Sequence, residues 1–339
     1  MSHEEKISFN SAGNLLICDQ FNHRVIETTP RGDIVWQYGR GPLDFTPSSV
    51  IGVRSAQRIG KLTLIASSGI YPGLVNEALN GVADSRVILV NHKKEIIWQY
   101  GQFGKIGSLG GLLDTPSYAI FLPSEDSNKG GIRGNFLITD KGNHRIIEVN
   151  GKGEIIWQYP GLNITEEGRL RSPNTAERLS CGHFLIADED NKRAIEINHK
   201  HEVIKVFNGH GQLGKCTYAM RLPNGNTLLT DSDNSRVIEV NNDDIIVWQH
   251  ITNMHTTSVP EPSPNRAVRL KNGDTLISDT FNNRVLRING MNTIIGYYGL
   301  PTEGATNLIG SNLVGTNNGY SPMTTQLGLY GPTDTRIIE

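Results

Sequence analysis

Cysteine is scarce in this chain: Cys18, Cys181 and Cys216 are the only three among 339 residues. Their odd number and the lack of any C-x-x-C spacing indicate neither a disulfide framework nor a thiolate zinc site. Long apolar runs are lacking too. Nowhere do about eighteen apolar residues stand together, and the opening Met-Ser-His-Glu-Glu-Lys holds no apolar targeting stretch. The expectation is a cytoplasmic protein with reduced thiols and no membrane partner. An excess of one charge is also missing, since 32 basic and 34 acidic residues leave a formal net charge of -2 and Lys and Arg nowhere gather into a run. Electrostatic capture of nucleic acid is therefore not expected. Helical periodicity is absent as well.

What the chain does hold is a repeat. The clearest copy runs Gly134-Asn135-Phe136-Leu137-Ile138-Thr139-Asp140, then Asn143-His144-Arg145-Ile146-Ile147-Glu148-Val149, then Glu154-Ile155-Ile156-Trp157-Gln158-Tyr159. The same order begins at Gly13, Gly182, Gly225 and Gly273, with a stretched copy from Gly60, which makes six units. An Asp followed five residues later by Arg marks five of them: Asp19/Arg24, Asp140/Arg145, Asp188/Arg193, Asp231/Arg236 and Asp279/Arg284. In the second unit Ser67 replaces the Asp and an insertion moves the Arg to Arg86.

Each unit consists of short β-branched runs punctuated by Gly, Asn and Asp, the pattern of strands joined by tight turns. A further run precedes each Gly start, as in Ala219-Met220-Arg221-Leu222, so a unit has four strands. The later strands are apolar on successive residues (Leu228-Leu229, Val237-Ile238) and so are buried on both faces. Radially stacked blades supply that environment. The expected fold is all-β, a single six-bladed β-propeller of four-stranded antiparallel blades at roughly 1–39, 47–101, 116–160, 173–208, 216–250 and 264–299. All four tryptophans (Trp36, Trp98, Trp157, Trp248) hold one position of the fourth strand, as wedges between blades. Pro332 to Ile338 echo Pro264 to Leu270, so the tail of 300–339 is expected to close the ring by giving an innermost strand to the first blade. Lys6 to Phe9 compete for that place.

The spelling Asp-x-x-Asn-x-Arg-[Val/Ile]-Ile-Glu-[Val/Ile], followed by Ile-[Ile/Val]-Trp-Gln-Tyr-Gly, resembles the NHL-type repeat and the units of arylsulfotransferase-like propellers, from about Ile7 to Tyr298. The resemblance implies a six-bladed propeller and little chemistry, because such propellers include binding modules, lyases and sulfotransferases. Their enzymes carry histidines on inner strands, often with a metal. The innermost strands here carry none.

The site is expected on the upper face, where second-to-third-strand loops and blade-to-blade crossings meet. The insertion at 69–83 would form a partial lid there, and the crossings at 101–116, 160–173, 250–264 and 299–331 are long. Candidate ligand-binding residues are Arg178, Arg221, Arg269 and Arg336, which could line the channel as anion donors, with Tyr71 and Tyr218. His23, His144, His210 and His255 are candidate metal ligands for a divalent ion, and His210 and His255 candidate catalytic groups. Interblade ion pairs for the arginines, and repeat-consensus turn roles for His23 and His144, are the plainer alternatives. The reading is a propeller binding a small molecule or a protein on its upper face; the alternative is an enzyme there, a metal-assisted lyase or hydrolase or a sulfotransferase-like transferase acting on an anion.

Overall fold

The computed structural model describes residues 9–73, 78–124, 133–162, 164–254, 258–299 and 328–339. The β-branched runs form β1 (Leu15–Asp19), β2 (Arg24–Thr28) and β3 (Ile34–Tyr38) of the first blade, and β4 (Val53–Ile59), β5 (Leu62–Ser67), β6 (Arg86–Asn91) and β7 (Ile96–Gly101) of the second. The third blade holds β8 (Tyr118–Pro123), β9 (Gly134–Asp140), β10 (Arg145–Asn150) and β11 (Ile155–Tyr159), and the fourth β12 (Pro173–Arg178), β13 (Phe184–Asp188), β14 (Arg193–Ile197) and β15 (Val203–Phe207). β16 (Cys216–Arg221), β17 (Thr227–Asp231), β18 (Arg236–Val240) and β19 (Ile246–Ile251) make the fifth, and β20 (Arg266–Arg269), β21 (Thr275–Asp279), β22 (Arg284–Ile288) and β23 (Ile294–Tyr298) the sixth.

The last strand, β24 (Pro332–Ile337), joins the first blade, whose order is β24-β1-β2-β3, so that six four-stranded antiparallel sheets form a six-bladed propeller. The C-terminal segment thus closes the ring, with Leu15 opposite Ile337 and Cys18 opposite Asp334. Of the competing segment, residues 6–8 lie outside the described residues. β13, β17 and β21 are buried along their whole length, as strands sandwiched between neighbouring blades must be. The tryptophans are the wedges: Trp98 stacks on Phe136 of the next blade at 3.8 Å between ring centroids, and Trp157 on Phe184 at 4.3 Å.

The repeated Asp, Asn and Arg form an interblade latch. In the third blade the Asp140 carboxylate accepts from Arg145 Nε at 2.7 Å and Asn143 Nδ2 at 2.7 Å, and from the Asp114 amide of the crossing at 2.8 Å. The same amide anchor reaches Asp19 from Tyr330, Asp188 from Arg171 and Asp231 from Gly214. Where Ser67 replaces the Asp, Asp84, just after the insertion, pairs with Arg86 and accepts the Ile51 amide at 2.7 Å. The latch is structural in every blade. It holds the crossing chain against the turn it passes.

In three blades the αL residue beside the latch also accepts a crossing amide through its side chain. Asn283 (φ 55) accepts the Gly331 amide through Oδ1 at 2.9 Å. His23 (φ 52) and His144 (φ 54) present Nδ1 to the amides of Gly52 and Ser172, at 3.2 and 2.9 Å. Both histidines therefore fill the turn role of the repeat. Burial drives the His23 pKa down to about 4 from its ordinary 6.5, against the opposing contact of Nδ1 with the Gln20 carbonyl at 3.0 Å, since a charged imidazole would lose its hydration. The folded protein then binds fewer protons at His23 than the unfolded chain between about pH 6.5 and 4, and stability falls as pH falls through that window. The expected loss is about 3 kcal/mol. Asn tolerates αL and is the residue nature uses at position 283, so His23→Asn is expected to match the parent at pH 7 and to exceed it by that amount near pH 4 in denaturant titrations. Equal acid sensitivity of both proteins would refute the argument.

Candidate functional site

Each innermost strand runs from an upper crossing down to a lower hairpin turn, so alternate residues face the channel in rings. The lower ring is Gln57, Ile120, Glu177, Met220, Val268 and Arg336, each opposite the Leu three residues before the end of the second strand. The ring above it is Ser55, Tyr118, Thr175, Tyr218, Arg266 and Asp334. Below that ring lies a cavity of about 530 Å³ that reaches Pro223 and Lys271 in the lower turns. This cavity thus opens on the face opposite the expected one. Above, the crossings tie adjacent blades together, as where Ser117 donates to the Asn174 carbonyl at 2.6 Å and Thr333 to that of Val53 at 3.0 Å.

Arg266 closes the top of the cavity. Its Nη1 pairs with Asp334 at 2.9 Å, and its Nη2 donates to the hydroxyls of Tyr118 at 3.0 Å and Tyr218 at 3.4 Å. The guanidinium carbon stands 4.8 and 4.4 Å from the centroids of those two rings, a cation–π clamp inside the protein. Burial opposes the Arg266 charge, but Asp334 and the phenols outweigh it and hold the pKa above the ordinary arginine range. The same burial, only partly offset by Arg266, raises Tyr218, which stays a neutral phenol. Arg336 lies below, its Nε 3.4 Å from Asp334 and its guanidinium carbon 5.5 Å from the Tyr118 centroid. Glu177 comes from the fourth blade. Burial raises its pKa against the pull of Arg266 and Arg336.

Four buried polar atoms of this cluster have no hydrogen-bond partner: Arg336 Nη2, Arg266 Nε, Glu177 Oε2 and Asp334 Oδ1. Leaving such atoms unpaired in a fold costs about 1–3 kcal/mol each. Arg336, Arg266 and Glu177 line the cavity itself, and Asp334 pairs with Arg266 at its top. The donor set of two arginines, two tyrosines and a glutamine suits an anion. It does not fit the divalent metal that histidine-bearing propeller enzymes use, and no described innermost strand directs a histidine into the channel.

Of the expected ligand-binding residues, Arg336 and Tyr218 meet here. Arg269 also lines the cavity, whereas Arg178 and Arg221 do not. Arg221 pairs with Glu196 at 2.7 Å and Arg269 with Glu239 at 3.1 Å, each across a blade boundary, and Arg178 lies over Phe184. The reason is parity: Arg336 stands at the place of Val268, one residue before that of Arg269, and one step along a strand exchanges channel for blade interface. Tyr71 is exposed on the upper face beside a hollow of about 60 Å³ that Arg54 and Lys141 also line. The insertion folds back on itself through an Ile70–Val82 bridge, with 74–77 outside the described residues.

His210 sits in an exposed turn whose amides, with those of Asn208 and Gly209, bind the Asp244 carboxylate. His255 lies outside the described residues. Among the described residues, His23, His144 and His210 belong to no cluster of three metal-ligating side chains. Sequence reading missed Arg266, Tyr118, Glu177, Asp334 and Gln57. A usable signal existed for Arg266, Glu177 and Asp334, charged residues in inner strands that also carry Arg269, Arg178 and Arg336.

No family model matches the chain, and no curated protein sequence matches it. Solved structures do. A protein of unknown function from Bacteroides caccae aligns at 14% identity and a TM-score of 0.53, over 85% of this chain and 93% of that one. A streptogramin B lyase structure aligns at 13% and 0.50, over 88% and 86%, and a chain of a nidogen/laminin complex at 9% and 0.51, over 84% and 92%. Identities this low show the propeller fold alone. The likeness to NHL and arylsulfotransferase-type units stays one of repeat spelling. No helix among the described residues is long and apolar enough to cross a membrane.

Proposed function

We propose that this propeller binds a small anionic molecule, a carboxylate, sulfate or phosphate with an apolar body, inside the lower half of its central channel. The observation that carries the reading is the set of unpartnered buried atoms, Arg336 Nη2 and Arg266 Nε foremost, converging on one cavity. Guanidinium groups bind such anions through paired hydrogen bonds, and Ile120, Phe121, Met220 and Val268 offer an apolar wall to the rest of the ligand. Inorganic sulfate and phenylacetate serve as probes. At saturation either should raise the melting temperature of the parent protein by a few degrees through binding to the folded state. Arg336→Gln, which leaves the Arg266–Asp334 pair in place, should abolish that rise. No shift with either probe, or an equal shift in the variant, would sink the proposal.

Glu177 favours a second reading, an enzyme of lyase or hydrolase type acting on an anionic substrate. A carboxyl with a raised pKa and an unpartnered oxygen beside two arginines is equipped to hold or move a proton. In either reading an anion binds better when Glu177 is protonated, so affinity strengthens as pH falls through its raised pKa. Glu177→Gln should remove that dependence.

A further inference from the structure

The repeat contains a second, independent cross-link between blades. A glutamate of the third strand accepts from an asparagine of the first hairpin turn through Oε1: Asn14 to Glu27 at 2.7 Å, Asn135 to Glu148 at 2.6 Å and Asn226 to Glu239 at 2.7 Å. Its other oxygen takes an arginine of the following blade where one is present, as Arg58 does for Glu27 at 2.6 Å and Arg269 for Glu239 at 3.1 Å. In the fifth blade Asn224, two residues before Asn226, also reaches Glu239 Oε1, at 3.2 Å.

The fourth blade keeps the glutamate, Glu196, and the arginine, Arg221, at 2.7 Å, but replaces both asparagines. Cys181 stands where the fifth blade has Asn224, and His183 where it has Asn226, on either side of the turn glycine. His183 Nδ1 makes the inherited contact, 2.7 Å from Glu196 Oε1. Ligand atoms of Cys181, His183 and Glu196 all lie within 4.8 Å of one another, the only such trio among the described residues. Both departures from the repeat introduce soft or borderline metal ligands, and both address the same carboxylate.

We propose that Cys181, His183 and Glu196 form a binding site for one zinc-class divalent ion on the lower face, apart from the channel. Sulfur, nitrogen and oxygen donors suit zinc and not the all-oxygen preference of magnesium or calcium. Arg221 occupies the second oxygen of Glu196, so the carboxylate offers one oxygen only. Three protein donors leave a fourth tetrahedral position open to water. Cys181 is exposed on its turn, which gives an ion a route in and lets the thiol move to bonding distance. Spacing rules overlook the trio, since Cys181 and His183 flank one glycine and Glu196 comes from the other side of a strand pair.

The test is a cobalt titration of the chelator-treated full chain, read by the near-ultraviolet thiolate-to-cobalt charge-transfer band and followed by displacement with zinc. Cys18 and Cys216 are buried, so the band reports Cys181. One equivalent of cobalt should saturate the band in the parent. Cys181→Asn and His183→Asn each restore the fifth-blade residue; they should keep the metal-free melting temperature and weaken cobalt binding by at least about tenfold. A parent protein that gives no band, or a band undiminished in His183→Asn, would overturn the site.

Discussion

A chain ending at Gly331 should fail to fold cooperatively. Removing 332–339 takes away β24, the innermost strand of the first blade, with its backbone pairing to the whole of β1. The loss reaches further than one sheet. Asp334 is the acid partner of Arg266, Thr333 donates to the Val53 carbonyl at 3.0 Å, and Thr335 accepts from Ser278 at 3.0 Å, so the strand ties the first blade to the second and the sixth. Without it β1 becomes an open edge lined by Leu16 and Cys18, and Arg266 becomes an unpaired buried cation. The expected outcome is an aggregating product with no sharp thermal transition. Adding a peptide of residues 328–339 should restore part of the near-ultraviolet dichroism. A truncated chain that melts at the parent temperature would show that ring closure does not depend on β24.

Arg284→Ala should be the most damaging single substitution in the latch. Arg284 is 1% exposed, its Nε lies 2.7 Å from Asp279, and its Nη2 donates to Ser258 at 2.8 Å. Taking away one member of a buried pair leaves an uncompensated charge, at a cost of about 3–5 kcal/mol. Burial already raises the Asp279 pKa from 3.8 to about 6 against the pull of Arg284. The folded state thus binds a proton there before the unfolded chain does, and in the parent this group alone makes stability decline as pH rises from about 4 to about 6. Loss of Arg284 pushes the carboxyl higher still. The deficit of the variant should therefore be largest at pH 8 and shrink toward pH 5, where Asp279 is neutral. Urea titrations at the two values decide it, and a deficit that does not change with pH would count against a buried charge as the cause. Arg24→Ala should cost less, because Arg24 is 12% exposed in its side chain and water can reach Asp19 in its place.

Most of the fold is legible in the residues because each blade repeats its own instructions. Trp98 and Trp157 announce the blade interface, since a large ring at one fixed place of an outer strand has only the neighbouring blade to pack on. Asp140, Asn143 and Arg145 announce the latch in the same way, and the echo of Pro264 to Leu270 in Pro332 to Ile338 announces closure. Where the copy fails, the sequence misleads: Ser67 breaks the motif, and Asp84, just after the insertion, takes the place of the missing Asp as the partner of Arg86.

By itself the sequence determined the number of blades, their strands, the latch and the closing segment, because these rest on local patterns copied along the chain. The tertiary structure alone decided the candidate site. Arg266 and Tyr118 are 148 positions apart, and the residues of the channel come one or two from each blade, so no window of sequence contains them together. Which inner-strand residue points into the channel depends on a period of two, and a single step lets the Arg269 guanidinium pair with Glu239 across the blade boundary while Arg336 is left to the cavity. Interblade ties at the upper end of the inner strands, set against turns that leave the lower end open, fix the face on which that cavity opens.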